Sequence, residues 1–174
     1  MNLTLVRHAQ VDEKYLGAYN GHIDISLSKL GNEQAKTLAK KFQNKSFDAV
    51  FCSDLKRAKE TLQTFTNIKE IIYTPKLREK SWGKHEGLKF EEIGIEYKNF
   101  LDFIHSLDGE DIDIFSANIK DFFYNYLPSL QKKNILIITH AGVIKTLLSF
   151  HENISLESAF TQELAYASIT RITI

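Results

Sequence analysis

Two short apolar runs, one near each end of the chain, both stop at a histidine. Leu3-Thr4-Leu5-Val6-Arg7 leads into His8, and Ile135-Leu136-Ile137-Ile138-Thr139 leads into His140. Runs of this length and composition read as buried strands of a parallel sheet covered by helices. Small residues follow each histidine, Ala9 in one case and Ala141-Gly142 in the other. In an open α/β sheet, ligands bind outside the carboxyl ends of the strands. Two strands that end in histidine aim two imidazoles at one spot, which points to a catalytic pocket.

The sequence between these runs alternates strands and helices. Residues 8–28 hold Gly17, Asn20, Gly21 and Asp24 and read as a long irregular loop of the functional kind. Ser28 is a suitable N-cap for a helix over 29–44, with Leu30, Ala35, Leu38 and Phe42 on one face. Asp48–Cys52 is a second strand, Ser53 caps a helix to about Asn67, and Ile71–Thr74 is a third strand ended by Pro75. Residues 76–88 are irregular and 89–106 helical. Asp111 caps a longer helix to about 131, on which Ile112, Phe115, Ile119, Phe122, Tyr126 and Leu130 keep the helical period. A strand over 134–139, a helix over 141–150 and a strand over 164–174 complete the chain. The pattern predicts a single domain over 1–174, a three-layer α/β/α sandwich with a mostly parallel central sheet.

Bulk properties narrow the function. The 174 residues carry no formal net charge and the pI is about 7.0, which argues against nucleic-acid and anionic-membrane partners. No apolar run approaches a membrane span of ~20 residues, and a cytoplasmic protein is expected. Cys52 is the sole cysteine, so an internal disulfide is excluded, and one thiol makes a poor metal site. A monomer or homodimer is expected, the aromatic segment 89–131 supplying core and, in the second case, a dimer face. Only four of the 22 basic residues are arginine, namely Arg7, Arg57, Arg78 and Arg171. A guanidinium presents a rigid fork of donors that matches phosphate or carboxylate oxygens two at a time, so Arg7 before His8, and Arg57 just inside the helix after the second strand, point to an oxyanion.

Five ordered segments carry a family resemblance: Arg7-His8-Ala9, Asn20-Gly21-His22-Ile23-Asp24, Ser53-Asp54-Leu55-Lys56-Arg57-Ala58, Leu77-Arg78-Glu79 with Gly83 and Glu86-Gly87, and Thr139-His140-Ala141-Gly142. Together they resemble the histidine phosphatase superfamily, which includes the phosphoglycerate mutases, and within it the short bacterial α-ribazole phosphatase branch. Gly109-Glu110-Asp111 fits a later helix start of that branch. Three positions depart from the family pattern: Ala9 stands for a glycine, Lys14 for an asparagine that contacts phosphate, and Asp54 for a proline.

The resemblance implies a phosphomonoesterase with no metal or other cofactor, acting on a small phosphorylated metabolite, with α-ribazole 5′-phosphate the named candidate. His8 is the expected nucleophile, since a neutral imidazole attacks phosphorus near pH 7. Arg7, Arg57 and His140 are expected around the phosphoryl oxygens, with His140 most useful when protonated. Glu79 is the expected general acid and base. Lys14, Asn20, Gly21, His22 and Ala141 are candidate substrate or phosphate contacts. Glu86 reads as a structural partner in the Glu79 loop, while Tyr15, Tyr19, Trp82, Lys84 and His85 border the pocket. A phosphohistidine protein phosphatase and a catalytically inactive phosphate-binding module are the competing readings.

Overall fold

The structure, a computed structural model, describes residues 1–66, 68 and 70–174. Its strands are β1 (Asn2–Arg7), β2 (Ala49–Ser53), β3 (Ile72–Thr74), β4 (Asn134–Thr139) and β5 (Ile169–Thr173). They form one sheet in the order β3-β2-β4-β1-β5. The first four strands are parallel, and β5 runs antiparallel to β1 along one edge. The register sets Arg7 beside Thr139, so His8 and His140 leave adjacent strands at the same level. The His8 N–H fixes this level by donating to the Thr139 carbonyl at 2.9 Å.

The two-residue strand period divides the core into two halves. Leu3, Leu5, Phe51, Ile135 and Ile137 face one layer, while Val6, Val50, Cys52, Leu136 and Ile138 face the other. Helices α1 (Lys29–Phe42) and α2 (Lys56–Gln63) cover the second side through Leu38, Phe42, Ala58 and Leu62. The first side is covered by α5 (Ile112–Asp121) and α7 (Ala141–His151), through Phe115, Ile119, Val143, Ile144 and Leu147. These layers make the α/β/α sandwich expected from the alternating pattern. No helix among the described residues is long and apolar enough to cross a membrane.

Several boundaries differ from the sequence reading. Leu30 is exposed because the inward stripe of α1 is Gly31, Ala35, Leu38 and Phe42. Ser28 does cap α1, accepting from the Gly31 N–H at 2.9 Å. Ser53 is the last residue of β2 rather than the cap of α2. The start of α2 is satisfied from the first loop, where Asp24 accepts from the Lys56 N–H at 2.7 Å. This helix stops at Gln63, and Asn67 lies outside the described residues.

The segment 89–106 splits into α3 (Phe90–Ile93) and α4 (Phe100–Ser106) because Gly94 takes a left-handed conformation, φ 64°, and Asn99 caps a new start. Asp111 caps α5 as expected. The helical run then passes through a π-helical turn, Phe122–Tyr126, before α6 (Leu127–Ser129). Helix α8 (Leu156–Thr161) lies in a stretch with no clear period. The last strand begins only at Ile169, since residues 164–168 bend around Arg7 and Ala167 turns with φ 56°.

Candidate active site

His8 sits where β1 ends, nearly buried, on the wall of a cavity of about 210 Å³. Its Nδ1 lies 2.8 Å from the Ala9 carbonyl. A carbonyl only accepts, so Nδ1 carries the proton and Nε2 keeps its lone pair. Burial, then the charges of Arg57 and Arg7, hold the imidazole pKa well below its ordinary value. Ala9 packs fully buried beneath it and donates its N–H to Thr61 Oγ1 at 2.9 Å. The methyl group that replaces the expected glycine hydrogen is therefore accommodated in the core.

Arg57 reaches the same cavity from the first turn of α2. It is almost wholly buried, and burial lowers its pKa to about 10. Three acceptors fix the guanidinium: Gly21 O at 2.7 Å, Ile23 O at 2.9 Å and His140 Nδ1 at 3.2 Å. His140, expected at the phosphoryl oxygens, stands one layer behind His8 and bonds to Arg57. It is fully buried behind His8, ring centroids 5.0 Å apart, and does not line the cavity. Its Nδ1 accepts from Arg57, so Nε2 donates to Ser53 Oγ at 2.8 Å. Both nitrogens are engaged, and burial with neighbouring cations holds this imidazole neutral.

Arg7 enters from β1. Its guanidinium lies 3.9 Å from the centroid of the Tyr166 ring and donates to the Leu164 carbonyl. Its Nε is buried without a hydrogen-bond partner among the described residues. Neither Arg7 nor Arg57 forms an ion pair with a carboxylate among the described residues.

Glu79 faces these cations across the cavity. Two backbone N–H groups hold its carboxylate, Lys80 to Oε1 and Gly142 to Oε2, each at 3.0 Å. A Cβ at position 142 would collide with the Glu79 carboxylate, so glycine there permits the approach. Arg78 points away from Glu79 and forks onto Asp54 at 2.7 and 2.6 Å. Asp54, the acid where the family has proline, is thereby neutralised by a cation from the neighbouring loop. Glu86 is structural: its Oε1 accepts from the His22 N–H, the Trp82 N–H and Ser81 Oγ.

The remaining candidates separate. Asn20, Ala141, Tyr19 and Trp82 line the cavity, and Gly21 supports it through the carbonyl bonded to Arg57. Lys14 does not line it. It is exposed on a 3-10 turn over Glu13–Tyr15, with Nζ 5.3 Å from the Tyr15 ring. His22 also lies outside it, donating from Nε2 to the Glu79 carbonyl at 2.8 Å and lining a second cavity behind that loop. Tyr15, Lys84 and His85 are likewise absent from the lining.

Lys145, Phe160 and Tyr166 complete the wall without having been anticipated. Lys145 lies four residues after Ala141, one turn along the same helix face, and that spacing was a usable signal. Nothing local marks Tyr166. No group of three or more His, Cys, Asp or Glu among the described residues is arranged to hold a metal ion.

A family model for the histidine phosphatase superfamily, branch 1, matches residues 3–174. A probable phosphatase of Schizosaccharomyces pombe is 33% identical over 153 residues, 84% of this chain and 71% of the relative. The crystal structure of an α-ribazole phosphatase from Shigella flexneri superposes with a TM-score of 0.85 at 27% identity, covering 100% of this chain and 91% of that one. A phosphoserine phosphatase from Entamoeba histolytica, in complex with 3-phosphoglyceric acid, gives 0.80 at 26% identity, covering 98% and 89%.

Proposed function

This chain belongs to the histidine phosphatase superfamily and is a phosphatase; from that premise we propose that it hydrolyses a small phosphomonoester through a phosphohistidine on His8. The observation that carries this reading is the tautomer of His8. With its proton held on Nδ1 by the Ala9 carbonyl, Nε2 is a free nucleophile among positive groups.

In the first step Nε2 bonds to phosphorus as the bond to the ester oxygen breaks, and the Glu79 carboxyl gives that oxygen its proton. The alcohol leaves. In the second step a water molecule attacks the phosphohistidine, Glu79 takes a proton from it, and orthophosphate departs with His8 restored. The N–H groups of Arg7 and Arg57 stabilise the charge on the transferring oxygens, and Ala141 opens α7, a helix end that favours anions. Gly142 holds Glu79, while His140 acts as a positioning residue that aims Arg57 through Nδ1.

For the alcohol, α-ribazole is the first reading, supported by the likeness to the Shigella phosphatase. Phosphoserine is the second, supported by the likeness to the Entamoeba enzyme. The test is a panel of α-ribazole 5′-phosphate, phosphoserine and a phosphohistidine peptide, with rapid alkaline quench and mass spectrometry. The expected result is turnover of a small ester and one PO₃ unit on the peptide containing His8, both lost in His8→Ala. A higher kcat/KM for the peptide would overturn the small-metabolite reading. Phosphate binding without turnover would favour the inactive module.

A further inference from the structure

Beside the phosphate cavity lies a second chamber of about 390 Å³, within the size range of ligand pockets. Tyr19, Trp82 and Phe160 belong to the walls of both, so the two spaces share one partition. The two differ in chemistry. The phosphate cavity is lined by Arg7, Arg57, Lys145 and Glu79, whereas none of the described residues lining the chamber carries a charged side chain.

The chamber is built from rings already packed against one another. Phe103 is buried on its floor, 5.0 Å from Tyr97 and 5.3 Å from Phe90, centroid to centroid. Trp82 is fixed by the edge of Tyr19 at 5.1 Å and by the Lys80 ammonium, 4.3 Å from its centroid. At the rim Phe90 and Tyr97 remain 43% and 46% exposed. Aromatic area left open beside a reaction centre marks a recognition surface. These rings come from the α3–α4 segment, which contributes no group to the phosphoryl chemistry.

We propose that this chamber binds the alcohol portion of the substrate, and that this portion carries a flat, uncharged ring system. The inference rests on the phosphatase reading and narrows its substrate class. Rings offer stacking and edge contacts to a planar group. A carboxylate would instead meet ring faces of negative potential and lose its water, so a charged amino-acid alcohol is the poorer occupant.

The test compares 2-naphthylmethyl phosphate with propyl phosphate. Both release a primary alcohol, so the bond broken is of the same kind. The expected kcat/KM ratio favours the naphthyl ester by at least about tenfold. In a Phe90→Ser/Tyr97→Ser double variant the ratio falls toward one. Because the ratio is taken within one preparation, a misfolded fraction cancels. A wild-type ratio near one, or a ratio untouched by the double substitution, overturns the proposal.

A second readout does not depend on turnover. Trp82 is the only tryptophan of the chain and stands in the partition. Saturable quenching of its emission by 4-nitrobenzyl alcohol, absent with propanol and weakened in the double variant, supports the chamber as the binding site. Linear quenching equal in both proteins refutes it. If neither ester is cleaved, the phosphatase reading fails separately, and the quenching still decides the chamber.

Discussion

His8 and His140 are both neutral, buried imidazoles held by neighbours that leave little freedom of protonation. The carbonyl of Ala9 fixes one tautomer and the Arg57 donor fixes the other. Their folded pKa values lie below those of the unfolded chain, with burial the leading cause. Between the two values the unfolded state binds more protons. The contribution of these groups is therefore complete above the ordinary histidine pKa and is lost as pH falls below it. Urea unfolding should give a plateau above about pH 6.5 and a loss approaching about 1.4 kcal/mol per pH unit for each imidazole below it. A stability that is flat from about pH 7 down to 5 would contradict the buried neutral assignment.

At this scale the histidines and Arg57 were legible because strand ends and helix starts fix where their side chains emerge. The burial of His140 behind its partner was not, since it depends on Ser53 and Arg57 claiming both ring nitrogens. Tyr166 was invisible because its place follows from the bend at Ala167.

The helix α7 shows how an element couples to chemistry. Its second residue, Gly142, donates to Glu79 and leaves room for the carboxylate. Helix propensity alone would favour alanine there by up to about 1 kcal/mol. The obstructing atoms are the tip of one side chain, so Gly142→Ala should leave the melting temperature unchanged or slightly higher. Turnover should fall by about tenfold or more as Glu79 is displaced. Parallel losses of stability and activity in a melt and a rate assay would show that the glycine serves packing instead. The parallel strands were readable from their apolar runs, as was the cap at Asp111. The break at Gly94 and the shortened final strand escaped, because a left-handed turn and a wrap around Arg7 override local periodicity.

Across the whole molecule the site is drawn from β1, α2, the loop after β3, α7 and the approach to β5, so it exists only when all layers are assembled. A ligand for it should stabilise the entire fold. At a hundred times its dissociation constant, orthophosphate should add about 2.7 kcal/mol, near 5–10 °C in melting temperature for a domain of this size. Arg7→Met should remove most of that gain, and an undiminished shift in a thermal scan would place phosphate elsewhere. Arg57 has a further consequence. It is a buried cation held by carbonyls and an imidazole, with no carboxylate partner among the described residues. Whatever anion reaches it cancels that imbalance, the spent phosphate no less than the incoming ester. Departure of the product should therefore be slow, and added orthophosphate should slow turnover in a steady-state rate assay.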